Sequence, residues 1–184
     1  MSLNKLSYFG DFAACLLSLL GLALTTLMSV NANGLVWWIG ALVAGIGLWT
    51  LTEYLVHRWI YHKIPIIRTY HEAHHQQPRA LLGSPVGFGV IVIFLVVYVP
   101  IKPFSLALAS GLTSGTLLGY FGYMLVHHAV HHWSVTRGTY LYRMRLRHCA
   151  HHFNSDEGNF GVTTALWDSA FGTNIEGKQS SLRA

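Results

Sequence analysis

The stretch LVWWIGALVAGIGLWTLTEYLVHRWIYH (residues 35–62) decides the predicted fold. Its apolar block, residues 35–56, carries no charge before Glu53 and runs directly into His57. The block has the length of ~20 residues that a helix needs to cross a bilayer. We therefore predict a membrane-spanning helix that ends at a pair of histidines, His57 and His62.

Three further apolar blocks are also candidate membrane-spanning segments. Residues 12–30 are uncharged, and we expect a retained anchor because no small-residue cleavage site follows. Residues 86–99 are short for a span, whereas residues 104–126 have full length and many small residues, which permit close helix packing in lipid. The sequence predicts an all-α integral membrane protein with four transmembrane helices in two hairpins, over residues 12–30, 35–56, 86–99 and 104–126.

Composition and charge support one membrane-embedded domain over residues 1–184. Only 10% of the residues are charged, well below the quarter typical of soluble domains. Of the twelve lysines and arginines, only Lys102 falls in a loop on the side opposite the histidines. The positive-inside rule then places both termini and a histidine-rich helical cap (residues 57–84 and 127–174) in the cytoplasm. The net charge of +5 does not indicate a nucleic-acid partner, because the basic residues flank apolar blocks.

All twelve histidines fall in four clusters: HRWIYH (57–62), HEAHH (71–75), HHAVHH (127–132) and HCAHH (148–152). Helical residues three and four apart share a face, so the second and fourth clusters can each aim three imidazoles at one region. In the third cluster two i, i+4 pairs are offset by about 100°, and only one pair can point fully inward. His57 and His62 lie about 140° apart on an α-helix, so they should bind different metals or straddle the helix end.

The clusters predict a metal site. A single histidine near a span end is usually an interfacial polar residue, but four clusters that hold every histidine favour specific ligands. About ten inward imidazoles are enough for two ions. Imidazole suits iron, copper and zinc alike. A site at the mouth of a lipid-facing bundle should meet acyl chains, and breaking an unactivated C–H bond needs a redox metal with dioxygen. We therefore predict two iron ions, although purified protein could carry zinc, which has no redox chemistry.

The histidine series resembles that of the fatty acid hydroxylase/sterol desaturase superfamily of integral membrane di-iron proteins. The segment HCAHHF (148–153), followed by NFGVTTALWDSAFGT (159–173), is similar to the terminal signature of the fatty acid 2-hydroxylase branch. The resemblance covers residues 35–173. It implies O2-dependent di-iron hydroxylation of a lipid acyl chain, at C2 of a fatty acid or sphingolipid.

The resemblance also implies the metal ligands by position: His57, His62, His71, His74, His75, His127, His131, His148, His151 and His152. His128 is a departure, because the 2-hydroxylases have an aromatic residue at its position, and we expect it as a neighbour of the ligands, with an extra ligand as the alternative. His132 is expected either to contact a ligand or to be an additional ligand. Metal-bound histidine usually donates its second N–H to a carboxylate or carbonyl, and Glu53 and Asp168 are the candidate acids. Asp168 could equally cap the turn at residues 167–172.

Some relatives of this type carry a fused cytochrome b5 domain. No haem motif of that domain stands in this sequence, so we expect electrons from a separate protein such as a cytochrome b5 or a ferredoxin. Alternatives within the superfamily are a carotenoid ring hydroxylase and a sterol oxidase or desaturase. An alternative of another class is a non-catalytic membrane metal-binding or transport protein. Transport sites usually lie near the bilayer midplane, whereas these histidines are predicted beyond the helix ends.

Overall fold

The computed structural model describes residues 4–81, 83 and 85–175, and these residues form α-helices and no β-strand. The all-α prediction is confirmed. Residues 1–3, 82, 84 and 176–184 of the predicted domain lie outside the described residues, and with them Lys178 and Arg183, expected on the cytoplasmic side. The helices are α1 Lys5–Ser29, α2 Ala32–Leu55, α3 Pro65–Gln76, α4 Phe88–Ile93, α5 Val99–Ile101, α6 Leu106–His132, α7 Tyr140–Phe153 and α8 Leu166–Ala170.

Two π-helical turns interrupt the α-helical geometry. Val56–Tyr61 continues α2, and Phe94–Tyr98 joins α4 to α5. The second predicted span is therefore longer than expected, because the helix does not end before His57 but runs on to Tyr61. The fourth predicted span, residues 104–126, also continues, as α6, through the third histidine cluster to His132.

Two helices of the described chain are long and apolar enough to cross a membrane. They are Lys5–Ser29, with mean hydropathy 2.0, and Ala32–Tyr61, with mean hydropathy 1.7. Phe88–Ile101 is apolar but shorter. Leucines on the outer face of α1 are strongly exposed, as lipid-facing side chains are: Leu17 at 68% and Leu27 at 78%. A four-helix crossing in two hairpins stays a prediction.

The chain divides into two compact units, and the first comprises Met1–Trp49 and Leu81–Phe121. Within it, small residues let α2 and α6 approach closely. A Cβ on Gly45 would lie 2.8 Å from the backbone nitrogen of Thr116. On α1, Cys15 Sγ donates to the carbonyl of Leu117 at 3.4 Å. The small side chains in the 104–126 segment thus allow close helix packing, as the sequence predicted.

Replacing Gly115 by alanine should destabilise this unit. The added methyl would overlap the carbonyl oxygen of Leu42 and lie 2.9 Å from the Cα of Gly45, and both are backbone atoms. Overpacking of this kind costs about 1–3 kcal/mol. We expect a lower melting temperature in detergent for Gly115→Ala. Gly40→Ala, where nothing lies within 4 Å of the added methyl, is the matched control and should melt no lower than wild type. Equal melting temperatures for the two variants would contradict the packing described.

The second unit comprises Thr50–Ala80 and Gly122–Ala184. Its described part contains the π-helical turn Val56–Tyr61, α3, the end of α6, α7 and α8. Thr139 caps the N-terminus of α7, where its hydroxyl accepts from the backbone N–H of Tyr142 at 3.3 Å. All four histidine clusters belong to this unit, so one unit can build the whole metal centre.

Candidate metal centre

Nine histidines converge in two groups. The five-histidine group consists of His57, His62, His71, His75 and His151, and the four-histidine group of His74, His131, His148 and His152. Within each group the candidate ligand nitrogens all lie within 4.8 Å of one another. The rings are well enclosed, with His151 at 0% and His148 at 3% exposure. Imidazoles from separated stretches of the chain thus meet at two adjoining points.

The nitrogen spacing within each group suits a shared ion. His71 Nε2 lies 3.1 Å from the Nε2 atoms of both His57 and His62. In the other group His148 Nε2 lies 2.8 Å from that of His131 and 3.0 Å from that of His152. Two nitrogens bound at about 2.1 Å and at right angles to each other are separated by about 3 Å. The donor set therefore fits a metal in each group.

His127 adjoins the four-histidine group but is not one of the residues whose ligand nitrogens all lie within 4.8 Å of one another. Its Nε2 lies 3.0 Å from that of His74, and its ring centre lies 4.8 Å from that of His131. All ten ligands implied by the resemblance therefore lie in or beside the two groups. His128 and His132 belong to neither group; their rings stack on each other with centres 4.5 Å apart.

The π-helical turn explains how His57 and His62 come together. On an α-helix, residues five apart diverge, which led to the expectation of different metals or a helix end between them. The turn Val56–Tyr61 has the i to i+5 repeat of a π-helix, and His62 directly follows its last residue. The ring centres then lie 5.2 Å apart, within one group. Nothing in the sequence signals this local change of helical repeat.

Each HxxHH cluster serves both groups rather than one region. On α3, His71 and His75 enter the five-histidine group and His74 the other. On α7 the i, i+4 pair His148 and His152 enters the four-histidine group, and His151 the five-histidine group. The rings of His75 and His152 stack across the two groups, 4.2 Å apart and 13° from parallel. This division places the two candidate ions side by side.

Burial keeps the imidazoles neutral. Desolvation, together with the charge of neighbouring histidines, lowers the pKa of His74 to about 4 and that of His151 to about 3. The same causes hold the pKa of His148 well below its usual value. Neutral imidazole is the form that binds a metal, so the site is ready for ligation at neutral pH.

Two backbone carbonyls orient rings of the five-histidine group. His57 Nδ1 donates to the carbonyl of Phe160 at 2.6 Å, and His151 Nδ1 to that of Gly158 at 2.8 Å. Both carbonyls belong to the segment that follows α7. The sequence pointed to this segment only through its resemblance to the terminal signature. The carbonyl contacts themselves could not be predicted, because a backbone acceptor leaves no side-chain pattern in the sequence.

The two candidate acids both contact this segment. Asp168, fully buried, accepts from the amides of Phe160 and Gly161 and from Arg147 Nη2 at 3.0 Å. Glu53, 4% exposed, accepts from the amides of residues 162 and 163. The nearest histidine in the chain, His57, lies one helical turn beyond Glu53. Each acid thus hydrogen-bonds to the backbone of the segment whose carbonyls accept from His57 and His151.

A polar cavity of about 490 Å³ adjoins the five-histidine group on the side of His62. Asp156 Oδ2 lies 3.7 Å from His62 Nδ1 at its edge. Arg58, Lys63 and Arg68 supply positive charge to its wall. His62 is thus the member of the five-histidine group that lines this cavity.

Comparison with known proteins relates this chain to lipid hydroxylases. The profile of a family described as fatty acid hydroxylase matches residues 42–173. The chain is 37% identical to a fatty acid 2-hydroxylase of Rattus norvegicus, over 74% of its own length and 40% of the relative's. It is 30% identical to a dihydroceramide fatty acyl 2-hydroxylase of Arabidopsis thaliana, over 73% of its own length and 61% of the relative's. The chain therefore spans less than two thirds of the length of each of these relatives.

A solved structure shares the fold. The visible hydroxylase domain of full-length scs7p superposes with a TM-score of 0.76 at 24% sequence identity. The match covers 94% of this chain and 70% of that one. This chain thus shares its fold with that hydroxylase domain.

Proposed function

This chain belongs to the fatty acid hydroxylase family, and from that premise we propose that it catalyses O2-dependent hydroxylation of a lipid acyl chain at C2. One observation carries the proposal: nine imidazoles form two adjoining groups in a single unit of the fold. Such a donor set exceeds what one structural zinc ion uses, which is four ligands.

The proposed cofactors are two iron ions. The five-histidine group would hold one, and the four-histidine group with His127 the other; zinc could replace iron during purification. Bound iron together with O2 supplies the redox chemistry that breaks an unactivated C–H bond. The chain's own residues set the positions of the ions, keep the imidazoles neutral by burial and limit the access of water.

The proposed substrate is a fatty acyl group, free or within a sphingolipid. Two relatives are named for fatty acid and dihydroceramide fatty acyl 2-hydroxylation, which supports C2 as the site of attack. Two helices with the length and hydropathy of membrane spans support a substrate taken from the bilayer. We place the metal centre and both termini on the cytoplasmic side, where a separate donor such as a cytochrome b5 or a ferredoxin supplies electrons.

Lipid profiling tests the proposal. Cells that express the chain should accumulate lipids with 2-hydroxy acyl chains, because the proposed centre oxidises C2 of an acyl group. Mass spectrometry of hydrolysed lipids measures this product. Cells with the empty vector are the control. Hydroxylated carotenoids or oxidised sterols without 2-hydroxy acyl chains would assign the protein to another reaction. Bound metal without any oxygen-dependent product would favour a metal carrier.

A further inference from the structure

The two histidine groups differ in the contacts of the nitrogens that face away from the ligand atoms. In the five-histidine group, the Nδ1 atoms of His57 and His151 donate to backbone carbonyls. In the four-histidine group, the Nδ1 atoms of His148 and His152 are buried and have no hydrogen-bond partner among the described residues. A hydrogen bond at Nδ1 fixes the tautomer with Nε2 free and makes the ligand more basic. The two groups therefore differ in how firmly their ligand rings are oriented.

The carbonyls that make this difference lie on a clamped segment, residues 158–163. Its four consecutive amides, those of residues 160–163, all donate to buried carboxylates at 2.6–2.9 Å. Asp168 takes the first two amides and Glu53 the last two. Rotation of the Phe160 carbonyl away from His57 would disturb these hydrogen bonds. The carboxylates thus fix the direction of the Phe160 carbonyl indirectly, through the amides that they accept from.

Further contacts make the clamp specific for carboxylates. Asp168 also accepts from the Thr173 hydroxyl at 2.7 Å, and Glu53 from the Thr163 hydroxyl at 2.6 Å. The partners named here are all donors, and both oxygens of each acid accept hydrogen bonds from them. An amide of the same size has one acceptor oxygen and would turn its NH2 group towards donors. Asparagine and glutamine should therefore loosen the segment while they preserve side-chain volume.

We propose that Asp168 and Glu53 are positioning residues that, through the backbone of residues 158–163, give the five-histidine group a higher metal affinity than the four-histidine group. The inference rests on the metal-binding part of the proposed function and not on the reaction. It predicts one tightly held ion and one more labile ion.

Zinc release from the full chain tests whether the five-histidine group holds its ion more tightly than the four-histidine group. The purified protein in detergent is loaded with zinc(II), and release to an excess of EDTA is followed by the zinc left on the protein. Wild type should release its ions in a fast and a slow phase. His75 and His152 form a matched pair, since their stacked rings belong to different groups. His152→Ala should keep the slow phase, and His75→Ala only the fast one.

The carboxylate variants test the cause. Removal of contacts that orient a ligand typically costs about 10–100-fold in metal affinity. Asp168→Asn and Glu53→Gln should each accelerate the slow phase by about 10-fold or more, with little change in the fast phase. Glu157→Gln, an exposed acid just before the segment, should release zinc as wild type does. Circular dichroism and elution volume establish that each variant is folded.

Each outcome decides a separate point. A single release rate in wild type, or a slow phase that survives in His75→Ala, overturns the inference but leaves a two-metal enzyme intact. Unchanged slow release in folded Asp168→Asn and Glu53→Gln removes the role of the carboxylates. If these two variants do not fold, the histidine pair still decides the order of affinity. A wild-type chain that binds no zinc and no iron would refute the proposed function itself.

Discussion

His148→Ala should abolish formation of 2-hydroxy acyl product. His148 is 3% exposed, and its Nε2 lies within 3.0 Å of those of His131 and His152, two other members of the four-histidine group. Loss of a contact that only orients a ligand already costs about 10–100-fold, so loss of the ligand itself should lower activity by at least about 100-fold. Product per mole of purified protein, measured together with bound metal, checks this expectation.

His132→Ala is the matched control for His148→Ala. His132 is exposed and stacks on His128, outside both groups. The variant should retain two ions and activity close to wild type. Retained product in His148→Ala would refute its role as a ligand. Loss of metal in His132→Ala would place His132 among the ligands after all.

Asp168→Ala should give the largest loss of stability. The substitution leaves two buried amides, a hydroxyl and the Arg147 guanidinium without their acceptor. Each buried donor left without an acceptor costs about 1–3 kcal/mol, and the Arg147 guanidinium, 19% exposed, loses its carboxylate partner as well. We expect little folded protein at growth temperature, measured as the yield of monodisperse protein in detergent and its melting temperature.

The comparison for Asp168→Ala is Glu157→Ala, which removes an exposed carboxylate from the loop before the same segment. Surface substitutions of this kind usually change stability by no more than about 0.5 kcal/mol. A melting temperature of Asp168→Ala equal to that of Glu157→Ala would show that Asp168 does not hold residues 160 and 161 in place.

The all-α fold and the four histidine clusters could be recognised from the sequence because both depend on local spacing. Apolar blocks of span length predicted α1 and α2. All ten histidines named as ligands lie in or beside the two groups, and their binding of metal stays a prediction. Glu53 was a candidate partner of a metal-bound histidine. It is buried and accepts from the amides of Val162 and Thr163 and from the Thr163 hydroxyl.

The remaining features depend on contacts between distant parts of the chain. The π-helical turn after Leu55 changes the helical repeat without a sequence signal and brings His57 and His62 into one group. The acceptor for His57 is the Phe160 carbonyl, about a hundred residues away, and no side-chain pattern in the sequence indicates this contact. The division of each HxxHH cluster between two groups follows from how α3 and α7 face each other, which their periodicity does not encode.

Isotopically labelled dioxygen tests the central claim most directly. Cells that express wild type or His148→Ala are exposed to the labelled gas, and their 2-hydroxy acyl chains are analysed by mass spectrometry. We expect the heavy oxygen in the C2 hydroxyl of wild-type lipids, and only the background of untransformed cells in the variant. A C2 hydroxyl without the label, or equal product from both chains, would contradict O2-dependent hydroxylation at the histidine centre.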